Sequence, residues 1–133
     1  GELQMAALLA KLESLEATAL SATAALEVAT LGGARALGLE ATVGSIETGK
    51  AADLIALDLS QPHSQPLNNI VSQIVYASNG TELTHSWVAG QPLVRDGKPL
   101  TLAPAEISAR VARWPEKFKA HQASIDPTGN YLS

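Results

Sequence analysis

The chain has 133 residues, 46% apolar and 17% charged, which is the size and composition of one globular domain able to bury a core. Its five aromatics (two Trp, two Tyr, one Phe) leave that core to Leu, Val, Ile and Ala. A net charge of −4, with Lys and Arg scattered, excludes the concentrated positive surface that nucleic acid or an anionic membrane requires, so neither is expected as a partner.

The chain enters at Gly1 in the middle of a helical pattern, without a cap, so its start reads as processed, engineered or cut. Over residues 2–15, Leu3, Ala7, Leu8, Leu12 and Leu15 recur at helical spacing, which predicts an amphipathic helix. Ser21 and Thr23 are N-cap candidates for a second helix through Ala24, Leu26, Glu27 and Ala29. Gly32-Gly33 is expected to interrupt it, and a short third helix over 34–37 should end at Gly38 in the left-handed conformation. Residues 43–50 read as short extended pieces around glycine turns. The apolar run 54–57, bounded by Asp53 and Asp58, reads as a buried strand. Residues 60–69, with two prolines, form a loop, and Ile70, Ile74 and Ala77 place a short helix after it.

A β pattern follows. Residues 85–88 and 91–94 flank Ala89-Gly90 as a hairpin, and Asp96-Gly97 turns the chain into a further extended piece over 99–102. Pro104 opens a helix whose apolar face carries Ile107, Val111 and Trp114, and Pro115 is expected to end or kink it. From Ser124 the chain is polar, and it is expected to be disordered or docked on a neighbour. The division expected is therefore a helical segment 1–40, a β-rich portion 41–103, a C-terminal helix 104–122 and a tail 123–133.

The residue types that carry chemistry are sparse. Cysteine is absent, which excludes disulfides and thiolate sites and fits a reducing compartment. No apolar run approaches the roughly 20 residues of a membrane span, and no leader pattern opens the chain. His63, His85 and His121 are too far apart for paired imidazole ligation: the nearest two are 22 positions apart. They read as loop or surface residues, with His63 suited to fixing the proline-rich loop by a hydrogen bond to backbone. Gly44 to Lys50 spells the phosphate-loop spacing, but Ala51 stands where a Ser or Thr should be, Glu47 would face the phosphates, and a strand follows instead of a helix. Ser45 has no neighbouring base. Asp53 and Asp58 flank a strand as an acid/base pair would, yet such carboxylates are usually solvated or bonded to turn amides. Asn79-Gly80-Thr81 spells a glycosylation sequon but reads as a turn. No catalytic or metal residue is assigned, and substrate-binding residues are left unknown.

Several stretches together resemble the amidohydrolase superfamily. Ala29-Thr30-Leu31-Gly32-Gly33-Ala34-Arg35-Ala36-Leu37-Gly38-Leu39 looks like its AT-x-x-GA-x-ALGL helix. Ile46-Glu47-Thr48-Gly49-Lys50-Ala51-Ala52-Asp53-Leu54 resembles its GSLEPGK-x-ADL signature, with Thr48 in place of the usual Pro. Pro62-His63, Pro66-Leu67 and the run from Val71 to Ala77 are similar to a PH-x-x-P…VS-x-LVYA run of the S-adenosylhomocysteine/5′-methylthioadenosine deaminase and chlorohydrolase subgroup. Trp87-Val88-Ala89-Gly90 through Asp96-Gly97 matches the hairpin that follows there, and residues 2–9 resemble the helix after the last metal-binding Asp.

The resemblance covers about residues 1–113 and implies an α+β C-terminal piece: helices closing a (β/α)₈ barrel, part of a small β-sandwich, and a C-terminal helix. It also implies an intact cytoplasmic enzyme that hydrolyses the exocyclic amine of an adenine nucleoside, with zinc or another divalent metal as cofactor. The resemblance implies that the metal ligands and acid/base residues lie upstream of the counterpart of Gly1 and have no matching positions here; a barrel alone takes about 250 residues. Partners implied are the missing barrel portion and a homo-oligomer. Alone, the chain is expected to be inactive and to self-associate through an unpaired sheet edge and an exposed apolar face. The alternatives are an independent α+β interaction module, or a triazine chlorohydrolase or guanine deaminase.

Overall fold

A computed structural model describes residues 1–125. The chain divides into two compact units, Gly1–Leu100 and the segment from Thr101 onward.

In the first unit, α1 (Glu2–Ser14) ends at Leu15, which turns left-handed at φ 56°. The Lys11 ammonium closes the following turn by donating to the carbonyls of Ala19 at 2.5 Å and Leu20 at 3.0 Å. Ser21 caps α2 (Ala22–Glu27), its hydroxyl accepting the Ala24 N–H at 3.3 Å. The expected break at Gly32-Gly33 does not occur. The helix instead widens into a π turn over Val28–Gly32 and runs on as α3 (Gly33–Ala36). Both glycines keep helical dihedrals, and at Gly32 a Cβ would stand 3.2 Å from the Glu27 carbonyl oxygen, so the wide turn uses the missing side chain. The helix then closes on Gly38 as expected: Gly38 (φ 68°) donates to the Arg35 carbonyl at 3.0 Å and Leu39 to that of Ala34 at 2.8 Å.

Residues 43–50 form turns, not extended pieces. The Ala51 N–H returns to the Thr42 carbonyl at 2.8 Å and the Lys50 N–H to that of Glu47 at 3.2 Å, so the segment folds on itself. A four-stranded antiparallel sheet follows in the order β1 (Leu54–Leu57), β2 (Leu83–Val88), β3 (Gln91–Arg95), β4 (Lys98–Pro99). Leu54 opposes Trp87 and Ala56 opposes His85, with a bulge before the Leu57–Leu83 pair. Ala89-Gly90 (φ 49° and 77°) and Asp96-Gly97 (φ 50° and 71°) make the two tight turns with both residues left-handed, which suits the strand twist. The last strand is shorter than expected and stops before Leu100. Between β1 and β2, a 3₁₀ turn (Pro62–Ser64) sits in the predicted loop, and Asn69 caps α4 (Ile70–Tyr76), accepting the Ser72 N–H at 2.8 Å.

The core is small. Ala7, Ala25 and Val75 bring α1, α2 and α4 together, with Leu3, Leu20, Leu26, Val71 and Tyr76 around them. The amphipathic face expected of α1 is only half covered: Leu8, Leu12 and Leu15 remain exposed, as do Ile46 and Ile55. Among the described residues a single sheet is present, with β1 as one open edge.

In the second unit, Pro104 stands in the first turn of α5 (Pro104–Val111). The single helix expected over 104–122 is two. Trp114 does not extend α5; it starts α6 (Trp114–Ile125), with Pro115 in the first turn, where a missing N–H costs no helical bond. Pro115 thus opens a helix instead of ending one. Ser124 lies within α6, and the tail from 126 onward is outside the described residues.

Candidate functional site

The structure disperses the histidines, as their spacing implies. His85 stacks on Trp87 with ring centroids 5.5 Å apart and 9° between planes, and its Nε2 lies 3.8 Å from Asp96. His121 belongs to the other unit, on an α6 face with Trp114, Lys117 and Phe118. His63 does fix its loop, but through a carboxylate and not the backbone: its Nε2 faces Glu82 Oε1 at 3.2 Å.

Glu82 escaped the reading of the sequence. It is the one buried charged residue among the described residues, 2% exposed. Its Oε2 accepts the Gly80 N–H at 3.1 Å. Its own backbone N–H, then Gly80 and His63, hold the carboxyl below its ordinary value against the opposing effect of burial. An acidic residue just after an Asn-Gly turn reads as solvated; the signal available was its position two residues after Gly80, within reach of that amide.

The two aspartates flanking β1 are occupied by backbone. Asp53 Oδ1 accepts the Ala89 N–H at 2.6 Å, while Gly90 donates to the Ala52 carbonyl at 3.0 Å, so the Ala52-Asp53 step is stitched to the hairpin turn. Asp58 Oδ1 accepts the Ser60 N–H at 2.9 Å; the Ser60 hydroxyl, that amide and Gln61 keep its pKa low. Their partners differ, and no acid/base pair forms. The phosphate-loop spelling is likewise structural. Lys50 Nζ donates to Ser45 Oγ at 2.5 Å and lies 3.4 Å from Glu47 Oε1, and a strand follows. The Ser45 hydroxyl, then Lys50, lower the Glu47 pKa. Asn79 Oδ1 accepts from the Thr81 N–H at 3.0 Å and hydroxyl at 2.7 Å, which makes the sequon a turn.

A groove is lined by Ala29, Ala34, Ile46 and Ile55 with Thr30, Ser45 and Asp53 as its polar members, and Ser45 and Asp53 are already engaged by Lys50 and the Ala89 N–H. Among the described residues no three His, Asp or Glu side chains gather as metal ligands. With His63 engaged by Glu82 and His85 stacked on Trp87, the described residues do not fit a zinc site.

Comparison with known proteins identifies the family. Residues 1–93 match the profile described as the Amidohydrolase family. The chain belongs to the amidohydrolase family. It is 46% identical over 119 residues to a 5-methylthioadenosine/S-adenosylhomocysteine deaminase of Teredinibacter turnerae, covering 90% of this chain and 27% of that protein. A protein of the same name from Moorella thermoacetica is 45% identical over 112 residues, 84% of this chain and 26% of its own length. Among solved structures, an adenosine deaminase from Xanthomonas campestris with bound zinc superposes with a TM-score of 0.86 at 41% identity, over 90% of this chain and 27% of that one. An atrazine chlorohydrolase from Arthrobacter aurescens complexed with zinc reaches 0.70 at 26% identity, over 84% and 25%. This amidohydrolase chain spans about a quarter of the length of the relatives it matches.

Family membership also gives the signature residues a physical meaning. The Ala-Asp-Leu run is the place where Asp53 fastens the β2–β3 turn and Leu54 enters the sheet opposite Trp87.

Proposed function

We propose that the intact protein hydrolytically removes the exocyclic amine of an adenine nucleoside of the 5′-methylthioadenosine or S-adenosylhomocysteine type, and that this chain is part of its scaffold. The observation that carries the reading is the 46% identity, across nine-tenths of the chain, to a deaminase of that name. In this reading residues 1–40 close a (β/α)₈ barrel, 41–103 form part of a second, sandwich-like domain, and 104–122 add the terminal helical part. Catalytic side chains, and a divalent cation such as the zinc of two structural neighbours, belong to the remainder of the polypeptide. The protein acts in the cytoplasm as a homo-oligomer. Exposed Leu8, Leu12, Leu15, Ile46 and Ile55 and the open edge of β1 support a missing covering layer and weigh against an independent module. Triazine hydrolase and guanine deaminase are less similar, at 26% and 29% identity.

Ammonia release tests this. The intact polypeptide that carries this sequence should deaminate methylthioadenosine or S-adenosylhomocysteine faster than guanine and should not release chloride from atrazine. The 133-residue chain with added zinc should do neither. Preference for guanine, chloride release, or turnover by the chain alone would each sink the reading.

A further inference from the structure

Each unit presents an exposed apolar helix face, and the two faces are bordered by opposite charge. In the second unit, Ile107 and Val111 of α5 and Trp114, Phe118 and Ile125 of α6 recur at spacings of one helical face, and all five are exposed. Trp114, Phe118 and His121 line a concave stretch of α6 together with Lys117. Arg110 and Lys117, seven residues apart, run along one border of this stripe. Residues 101–125 are net positive, with Arg110, Arg113, Lys117 and Lys119 against Glu106 and Glu116.

In the first unit, α1 turns Ala7 into the core with Leu3 beside it, while Met5, Leu8, Leu9 and Leu12 stay exposed on its other side. One border of that stripe is tied down: Gln4 donates to the Tyr76 carbonyl at 3.0 Å, and Lys11 closes the turn after the helix. The other border carries Glu2 and Glu13, both exposed. Among the described residues no ion pair engages either of them, or Arg110, or Lys117. Residues 1–100 are net negative, with five cations against ten carboxylates.

Charge selects between the possible occupants. Two α5–α6 faces paired antiparallel would set Arg110 and Lys117 against the same cations, and parallel pairing would offer them Pro115 and Gln122 with no carboxylate. Two α1 stripes would set Glu2 and Glu13 against each other. An anionic membrane is disfavoured by Glu106 and Glu116 within the unit and by the net charge of −4 on the chain. We propose that the α5–α6 face of one chain docks on the α1 stripe of a second copy, with Arg110 and Lys117 along the border that carries Glu2 and Glu13. In a chain without the covering layer proposed above, α1 is left free for this contact. The contact joins unlike patches, so every docked chain keeps one face of each kind open and assemblies grow by addition. It does not rest on the catalytic reading.

Charge swaps in the full chain, followed by sedimentation velocity, test the pairing. One variant carries Arg110→Glu and Lys117→Glu, the other Glu2→Lys and Glu13→Lys; all four positions are exposed, and circular dichroism checks the fold. Each variant alone should associate about tenfold more weakly than the unaltered chain, because like charges then meet across the contact. An equimolar mixture should regain association, because each face of one variant meets its opposite on the other. Undiminished association of either variant alone, or a mixture no stronger than its parts, would overturn the proposal. So would an unaltered chain that stays monomeric and instead binds phosphatidylserine vesicles. Should a double variant lose its fold, Lys117→Glu mixed with Glu13→Lys repeats the test with one change per chain.

Discussion

At Asp53 a carboxylate that resembles half of a catalytic pair serves the backbone. Replacing it in Asp53→Ala removes the acceptor of the Ala89 N–H and should cost about 1 kcal/mol of stability, measured by urea unfolding, with no new effect on chemistry elsewhere in the chain. Asp53→Asn, which keeps an acceptor oxygen, should restore most of it. Glu82 makes a pH prediction. Its folded pKa lies below the ordinary 4.5, so its contribution to stability is complete above about that value and is lost as pH falls through the folded pKa. A Glu82→Gln variant should therefore show a shallower loss of stability than the unaltered chain on acidification below pH 4.5, followed by circular dichroism. The sequence disclosed the turn role of Asn79 because short polar side chains beside tight turns have few other uses, but of Asp53 it said only that such carboxylates are solvated or bonded to turn amides, and its partner Ala89 arrives from a distant hairpin. It concealed Glu82, because burial of a carboxylate depends on which loop folds over it, and that loop arrives from residues 60–69.

Glycines separate what is legible in an element from what is not. Gly38, Ala89-Gly90 and Asp96-Gly97 were readable as helix stop and hairpin turns because each signal is local. Gly32-Gly33 misled, since a glycine pair reads as a breaker while its actual service is to let a π turn pass the Glu27 carbonyl. Pro115 misled for a related reason: the same ring that ends one helix is tolerated in the first turn of the next. Two substitutions sort these roles. Gly33 has φ −61° and room for a methyl, its nearest neighbour being 3.6 Å away, so Gly33→Ala should raise stability by roughly 0.5–1 kcal/mol. Gly44 has φ +95°, and a Cβ there would come within 2.7 Å of the Ala34 Cβ, so Gly44→Ala should lower stability by roughly 2 kcal/mol or more through strain and the displaced helix. Thermal melts of both variants, expected to move in opposite directions, check the pair.

For the whole molecule, the balance of covered and uncovered surface decides behaviour. The buried core comprises few and small side chains, Ala7, Ala25, Ala34 and Val75, while Leu12, Leu15, Ile46 and Ile55 are 65–88% exposed. A chain of this size normally buries more than half of what unfolding exposes, so such a thin core predicts association when the chain is alone. Sedimentation velocity should show species larger than 13.8 kDa that grow with concentration, and if the proposed reading holds, a polypeptide that also carries the barrel portion should not show that growth. A compact monomer at all concentrations would instead favour an independent module. The helix–sheet composition was legible from periodicity; the thinness of the core was not, because an apolar stripe records that something is to be covered and not where the cover comes from.

The two tryptophans fall one to each unit, Trp87 against an imidazole in β2 and Trp114 at 55% exposure at the start of α6. Each unit thus has its own optical label. Trp114 should emit as a wet indole, red-shifted and open to iodide quenching, and Trp87 as a shielded one dimmed by its stacked neighbour. With Trp114→Phe and Trp87→Phe recorded separately through a urea titration, coincident emission changes would mean that the sheet and the terminal helices melt as one body. Separate midpoints would mean that each keeps its own cooperativity.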